Sequence, residues 1–154
     1  MNDEYLKEAI AIASKNVEQG GGPFGALIVK DGAVLASSGN LVTISNDPTA
    51  HAEILVIREA CAKLETWDLL GCELYSSCEP CPMCMGAIYW AHIDKICYAA
   101  SHDDAREAGF DDSDIYREIR KAPEDRKIVM QQKFKEEGWI PFKTWQNRED
   151  KNEY

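Results

Sequence analysis

Two short patterns in the chain have residue types and spacings suited to chemistry: Thr49-Ala-His51-Ala-Glu53 and Pro80-Cys81-Pro-Met-Cys84. Each opens a predicted helix that follows a loop or a strand. Cys81 and Cys84 stand three apart, so on one helical turn their sulfurs share a face, as two ligands of one metal require. His51 is the candidate third ligand, from the other helix. Three protein ligands leave a fourth tetrahedral position for water, the arrangement of a catalytic rather than a structural zinc site.

Glu53 reads as a partner of that water and not as a ligand. On an ideal helix its side chain points roughly 200° away from that of His51. Both reach one centre only if the helix begins here and the site lies in front of its first turn. That position faces the positive end of the helix dipole, which favours thiolates and bound hydroxide. Zinc brings the pKa of its water toward ~7, and a carboxylate at hydrogen-bond distance accepts the proton and later returns it. A hydroxide nucleophile with a proton shuttle suits attack on an electrophilic ring carbon.

Each piece alone has a plainer reading. A lone histidine on a helix is commonly packing or surface, and C-x-x-C also serves structural zinc knuckles and redox pairs. The run Cys78-x-x-Cys81-x-x-Cys84 opens like an iron–sulfur loop but lacks a fourth cysteine at the expected spacing. In combination the two patterns match the H-x-E…P-C-x-x-C signature of zinc deaminases.

The elements that position these residues follow from periodicity. Leu6, Ala9, Ile10, Ala13 and Val17 mark a helix over 3–19 that Gly20 to Gly22 ends. Two strand-like runs, 24–29 and 34–37, flank Asp31-Gly32, a strong hairpin signal. A polar loop over 40–48 leads to a helix over 49–63, then a strand at 73–77, a helix at 81–91 and a strand at 95–99. This alternation predicts helices packed on a mixed sheet. Further on, 112–121 reads as a helix, and 128–134 alternates like a strand. The segment 136–148 carries Trp139, Phe142 and Trp145, and the polar tail from Asn147 reads as frayed.

Composition narrows the partners. The chain has 154 residues, 45% hydrophobic and 29% charged, the balance of an ordinary globular domain. Its 17 Lys and Arg stand against 27 Asp and Glu, for a net charge of −10. Such a surface repels phosphate backbones on average, so no nucleic-acid partner is expected, and a small neutral substrate fits better. The cluster Arg117, Arg120, Lys121, Arg126 and Lys127 reads as a solvated helix face. No apolar run reaches the ~18 residues that cross a bilayer, and the acidic start, Asn2-Asp3-Glu4, is unlike an export signal. A cytoplasmic protein without a membrane partner is expected, its six cysteines being thiols or metal ligands.

The chain resembles the cytidine deaminase-like superfamily and, within it, the bacterial guanine deaminases. The narrower resemblance rests on Gly22-Pro-Phe24-Gly25, Asn40, the run Glu107-Ala-Gly-Phe-Asp-Asp112-Ser-Asp-Ile-Tyr116 and Glu153-Tyr154. It implies a three-layer α/β/α sandwich with a mixed central sheet, Zn2+ held by His51, Cys81 and Cys84, and Glu53 as proton shuttle. It further implies Phe24 and Trp90 as a pair clamping a purine ring, Asn40 at the polar edges of the ring, and Asp112 meeting the exocyclic amino group. Tyr154 would close over the substrate from a neighbouring subunit. One zinc-dependent domain over 1–154 is then expected, with a segment from about 136 to 154 exchanged in a domain-swapped homodimer. The implied reaction is hydrolysis of guanine to xanthine and ammonia, with zinc-bound hydroxide attacking C2.

Alternatives stand beside these roles. Phe24 also suits an inward-packing hairpin position, Asn40 an Asx-turn, and Asp111, Asp112 and Asp114 an acid-rich helix start whose register is open by one or two positions. Trp90 follows Cys84 by nearly two helical turns. Rival functions are a guanosine deaminase, a cytosine deaminase, a tRNA adenosine deaminase, which shares both zinc motifs but needs a basic surface, and a structural zinc module, which needs no Glu53.

Overall fold

The computed structural model describes residues 1–153. Tyr154 lies outside the described residues. By internal packing the chain divides into two units, residues 1–112 and residues 113 onward.

In the first unit the Asn2 side chain accepts the Glu4 N–H at 3.0 Å and starts α1 (Asp3–Glu18), with Asp3 and Glu4 at its positive end. Strands β1 (Gly22–Lys30) and β2 (Ala33–Asn40) form the expected hairpin. Asp31 and Gly32 both take positive φ, 51° and 76°, as a two-residue turn of this hand demands. The polar loop contains one short helix, α2 (Val42–Ser45). Then follow α3 (Ala52–Leu64), β3 (Cys72–Cys78), α4 (Pro82–Trp90), β4 (Lys95–Ala100) and α5 (His102–Glu107). The last of these was not anticipated, although Ser101 and Asp104 form a reciprocal capping box around its start.

The sheet order is β2-β1-β3-β4, with β1 antiparallel to both neighbours and β3 parallel to β4 through the α4 crossover. Alternate residues of β1 face opposite layers. Ala26 and Ile28 pack with Val56 and Ala60 of α3 and Ile88 of α4, while Leu27 and Val29 pack with Ala9 of α1 and Tyr75. Both faces are covered, so β1 is buried without interruption from Gly25 to Val29. The three-layer α/β/α sandwich with a mixed central sheet is present. A Cβ at Gly25 would lie 2.5 Å from Ala9 O and Ala13 N, so α1 rests on bare strand backbone. Burial on both faces is what fixes β3, and through it the start of α4, in register.

The second unit holds α6 (Ser113–Ile119), a 3-10 turn at Pro123–Asp125, α7 (Lys135–Gly138) and α8 (Ile140–Gln146). Asp114 pairs with Arg117 and with Lys127 (2.7 Å), and Glu118 accepts the Lys127 N–H at 2.6 Å. Trp139 stacks on Phe142 with centroids 5.3 Å apart. The strand expected at 128–134 does not form: those residues pair with no strand among the described residues, and alternation without a partner has no ladder to satisfy it. No helix among the described residues is long and apolar enough to cross a membrane.

Candidate active site

His51 and Cys81 occupy equivalent places, each the N-cap of its helix with extended backbone (φ −67°, ψ 150° and φ −65°, ψ 169°). Pro82 follows at the first helical position, where a missing N–H costs nothing. An N-cap side chain ordinarily accepts a bond from the first turn. Here neither does, and both point instead to a common centre with Cys84. The helix containing Glu53 therefore does begin at His51, as the angular argument requires.

His51 Nδ1 lies 3.5 Å from Cys81 Sγ and 3.6 Å from Cys84 Sγ. Tetrahedral zinc with bonds of about 2.3 Å to sulfur and 2.05 Å to nitrogen holds such donors about 3.6 Å apart. The three donor atoms lie within 4.8 Å of one another, and they are the donor set this metal selects. The residues fit a zinc ion.

Glu53 is 5% exposed. Its Oε1 accepts from Ser76 Oγ at 3.2 Å and its Oε2 from the Cys84 thiol at 3.6 Å. Burial pushes its carboxyl above the ordinary range, while His51 and Ser76 pull the other way. A hydrogen bond with the neighbouring Cys84 draws the Cys81 thiol down to about 4, and His51 adds to the effect. The same bond pushes Cys84 up, and the bond to Cys81 raises His51. A thiolate beside a thiol and an imidazole is a set from which an arriving cation displaces protons.

The cluster opens into a cavity of about 420 Å³ whose walls include Phe24, Asn40, His51, Glu53, Cys81 and Asp112. Asn40 is buried, and its Oδ1 accepts the Val42 N–H at 3.2 Å, so the Asx-turn role and a place on the cavity wall coexist. Asp112 is half-buried; burial, and then the Cys81 thiolate, push its carboxyl up. Asp111 is exposed at the cavity edge, whereas Asp114 belongs to the second unit and is held by Arg117 and Lys127.

Trp90 stands apart from the cavity of its own chain. It is 63% exposed at the opposite end of α4 from Cys84 and is not on the cavity wall. Six residues of helix separate the two by about 9 Å along the axis, too far for the indole to reach the front of the first turn. The aromatic neighbour of Phe24 is instead Phe110, edge-on at 5.0 Å and 85°. Gly109, at φ 95°, turns the chain just before it. Two further wall residues escaped notice, Glu79 and His102, joined by a 3.0 Å contact from Glu79 Oε2 to His102 Nδ1. The capping box at Ser101 was the signal that would have placed His102 at a helix start beside the site. Cys78 also lines the cavity, its thiol pushed up to about 11 by burial and the charge of Glu53, and so stays protonated.

The sequence profile of the cytidine and deoxycytidylate deaminase zinc-binding region matches residues 1–100. The chain belongs to this family of zinc-dependent deaminases. Among its members, the guanine deaminase of Bacillus subtilis (strain 168) is 56% identical to the chain over 100% of both sequences. The X-ray structure of guanine deaminase from Bacillus subtilis matches with a TM-score of 0.96 at 55% identity, covering 100% of this chain and 99% of that one. A tRNA-specific adenosine deaminase of Aquifex aeolicus (strain VF5) is 46% identical over 101 residues, 65% of this chain and 67% of the relative.

Proposed function

We infer that the chain hydrolyses guanine to xanthine and ammonia. The observation that carries the chemistry is the His51–Cys81–Cys84 donor set with the buried carboxylate of Glu53 beside it, facing a cavity of about 420 Å³. The choice of guanine is supported by the full-length likeness to the Bacillus subtilis guanine deaminase, against a likeness to the tRNA enzyme over 65% of the chain. Net charge −10 also disfavours a polyanionic substrate.

His51, Cys81 and Cys84 would hold a zinc ion, which when bound would supply the Lewis acidity that makes a water nucleophilic near neutral pH. Glu53 takes the proton of that water and passes it toward the purine. A bond forms between the water oxygen and C2 as that first proton reaches the ring nitrogen; Glu53 then carries the second proton of the same oxygen to the amino nitrogen, the C2–amino bond breaks, and ammonia leaves with a carbonyl at C2. Asp112, half-buried on the cavity wall, meets the amino group and steadies it as ammonia departs. Phe24, backed by Phe110, lies against the ring, and the Asn40 amide addresses its polar edge.

The working unit is proposed to be a cytoplasmic homodimer in which the segment from about 136 to 154 crosses to the partner and Tyr154 closes its pocket. Two features support this. The outer edge of β4 pairs with no strand among the described residues, and the segment itself leaves Ile140 and Phe142 58% and 59% exposed. Sedimentation should give twice the chain mass.

A panel of aminated bases and nucleosides scored for ammonia tests the substrate. Guanine should be turned over well above guanosine, cytosine and adenosine. Preference for guanosine or an adenosine-containing RNA hairpin would replace the reading.

A further inference from the structure

α1 contributes no residue to the cavity, yet near its end Asn16 is 5% exposed and reaches both strand ends that frame the pocket. Its Nδ2 donates to the carbonyl of Gly22 at 2.8 Å and to that of Asn40 at 2.7 Å, the first residue of β1 and the last of β2. An amide nitrogen has two hydrogens, and both are committed here. Gly22 and Asn40 are cross-strand partners and both line the cavity.

The regular ladder does not hold this corner. Between the pairs Gly22–Asn40 and Gly25–Gly39 the register shifts, and the irregular stretch contains Pro23 and Phe24. Asn16 bridges the strands on the far side of that irregularity. The space around its side chain is reserved by glycines. A Cβ at Gly21 would lie 2.3 Å from Asn16 Nδ2, and one at Gly39 would lie 2.3 Å from Asn16 Cγ and Oδ1. The Gly20-Gly21-Gly22 run is thus more than a helix stop: its middle member, with Gly39, forms a collar that admits this one side chain.

We propose that Asn16 is a positioning residue of the substrate pocket, acting through Asn40. It fixes the backbone from which the Asn40 side chain projects, while Asn40 Oδ1 in turn holds the Val42 N–H. This inference rests on the reading of Asn40 as a substrate contact. It predicts that loss of the Asn16 amide is felt in ground-state binding of the ring and not in the hydrolytic step.

The test is a double-mutant cycle on guanine with wild type, Asn16→Ala, Asn40→Ala and the double variant, with zinc content measured for each. Asn16→Ala should raise KM about tenfold with kcat within about threefold and zinc retained. In the Asn40→Ala background it should add less than about threefold, because the residue it acts through is gone. Independent, multiplicative effects, or a lowered Tm with unchanged KM, would overturn the proposal. Gly39→Ala keeps the amide but drives a methyl against it, and should reproduce the rise in KM; an unchanged KM there also overturns it. A substrate-free readout separates this inference from the guanine assignment. Amide exchange at Val42 should quicken at least tenfold in Asn16→Ala while core amides of α3 keep their rates. If the wild type fails to deaminate guanine, the substrate reading falls, and the Val42 amide still decides the role of Asn16.

Discussion

His51 and Cys81 are the last non-helical residues before α3 and α4, and their Nδ1 and Sγ stand 3.5 Å apart. Two helix N-termini therefore converge on one point, each presenting its first-turn N–H groups and the positive end of its dipole. That field lowers the cost of thiolate and of an anionic nucleophile where the reaction needs both. It also explains why capping residues of the usual kinds are missing from both starts.

Removal of the metal should abolish turnover and loosen the fold together. A chelator is expected to stop ammonia release and lower Tm by roughly 5–10 °C, the loss of stabilisation from a ligand present at about 100 times its Kd. Added zinc should restore both, as followed by differential scanning fluorimetry and an ammonia assay.

Glu53→Gln separates the shuttle from the metal site. The amide oxygen can still accept from Ser76, and no metal ligand is altered, so zinc content should hold at one ion per chain. Turnover should fall about 10³-fold or more, since the amide cannot take a proton from water. Substantial residual ammonia release would remove Glu53 from the reaction.

Asp112→Asn should impair kcat far more than Asp114→Asn. Asp112 is a half-buried wall residue whose carboxyl is raised by burial, while Asp114 is pulled below the ordinary range by Lys127 and Arg117. Losing Asp114 should instead lower the stability of the second unit slightly. The reverse kinetic order would show that another acid meets the amino group.

Glu73 gives a test of stability against pH. Tyr75 OH donates to it at 2.6 Å and Lys95 Nζ at 3.0 Å, and together they hold its carboxyl below the ordinary range. A depressed folded-state pKa stabilises above the unfolded value of about 4.3 and is lost as pH falls through the folded value. Glu73→Gln should therefore lower the urea midpoint at pH 7, and the difference from wild type should shrink between about pH 5 and pH 3.

Deleting Tyr154 should cripple guanine turnover while leaving zinc content and Tm unchanged. Unaltered kinetics in the shortened chain would dismiss this residue as the closing element.

The zinc set was legible because its spacing is dictated by metal geometry, and the helix start at His51 because Glu53 could share the centre in no other way. The hairpin was legible because Asp31-Gly32 suits a backbone few other pairs adopt. What escaped depended on contacts distant in sequence. Phe110 stands against Phe24 across 86 positions of chain, and no periodicity announces such a meeting. Trp90 was named by resemblance alone, and axial rise along α4 sets it off the cavity wall of its own chain. The alternation over 128–134 has the pattern of a strand and no adjacent strand among the described residues, a reminder that pattern supplies a face and only a neighbour supplies the ladder.

The groups proposed to break the bond and the groups proposed to choose the ring occupy separate stretches of polypeptide. His51, Glu53, Cys81 and Cys84 sit at two helix starts anchored in the core, whereas Phe24, Asn40 and Phe110 come from strand ends and the turn after α5. This division of labour makes the scaffold retunable. Libraries randomised over 41–43 and 109–111 should shift preference among heterocycles while every member keeps its hydrolytic engine.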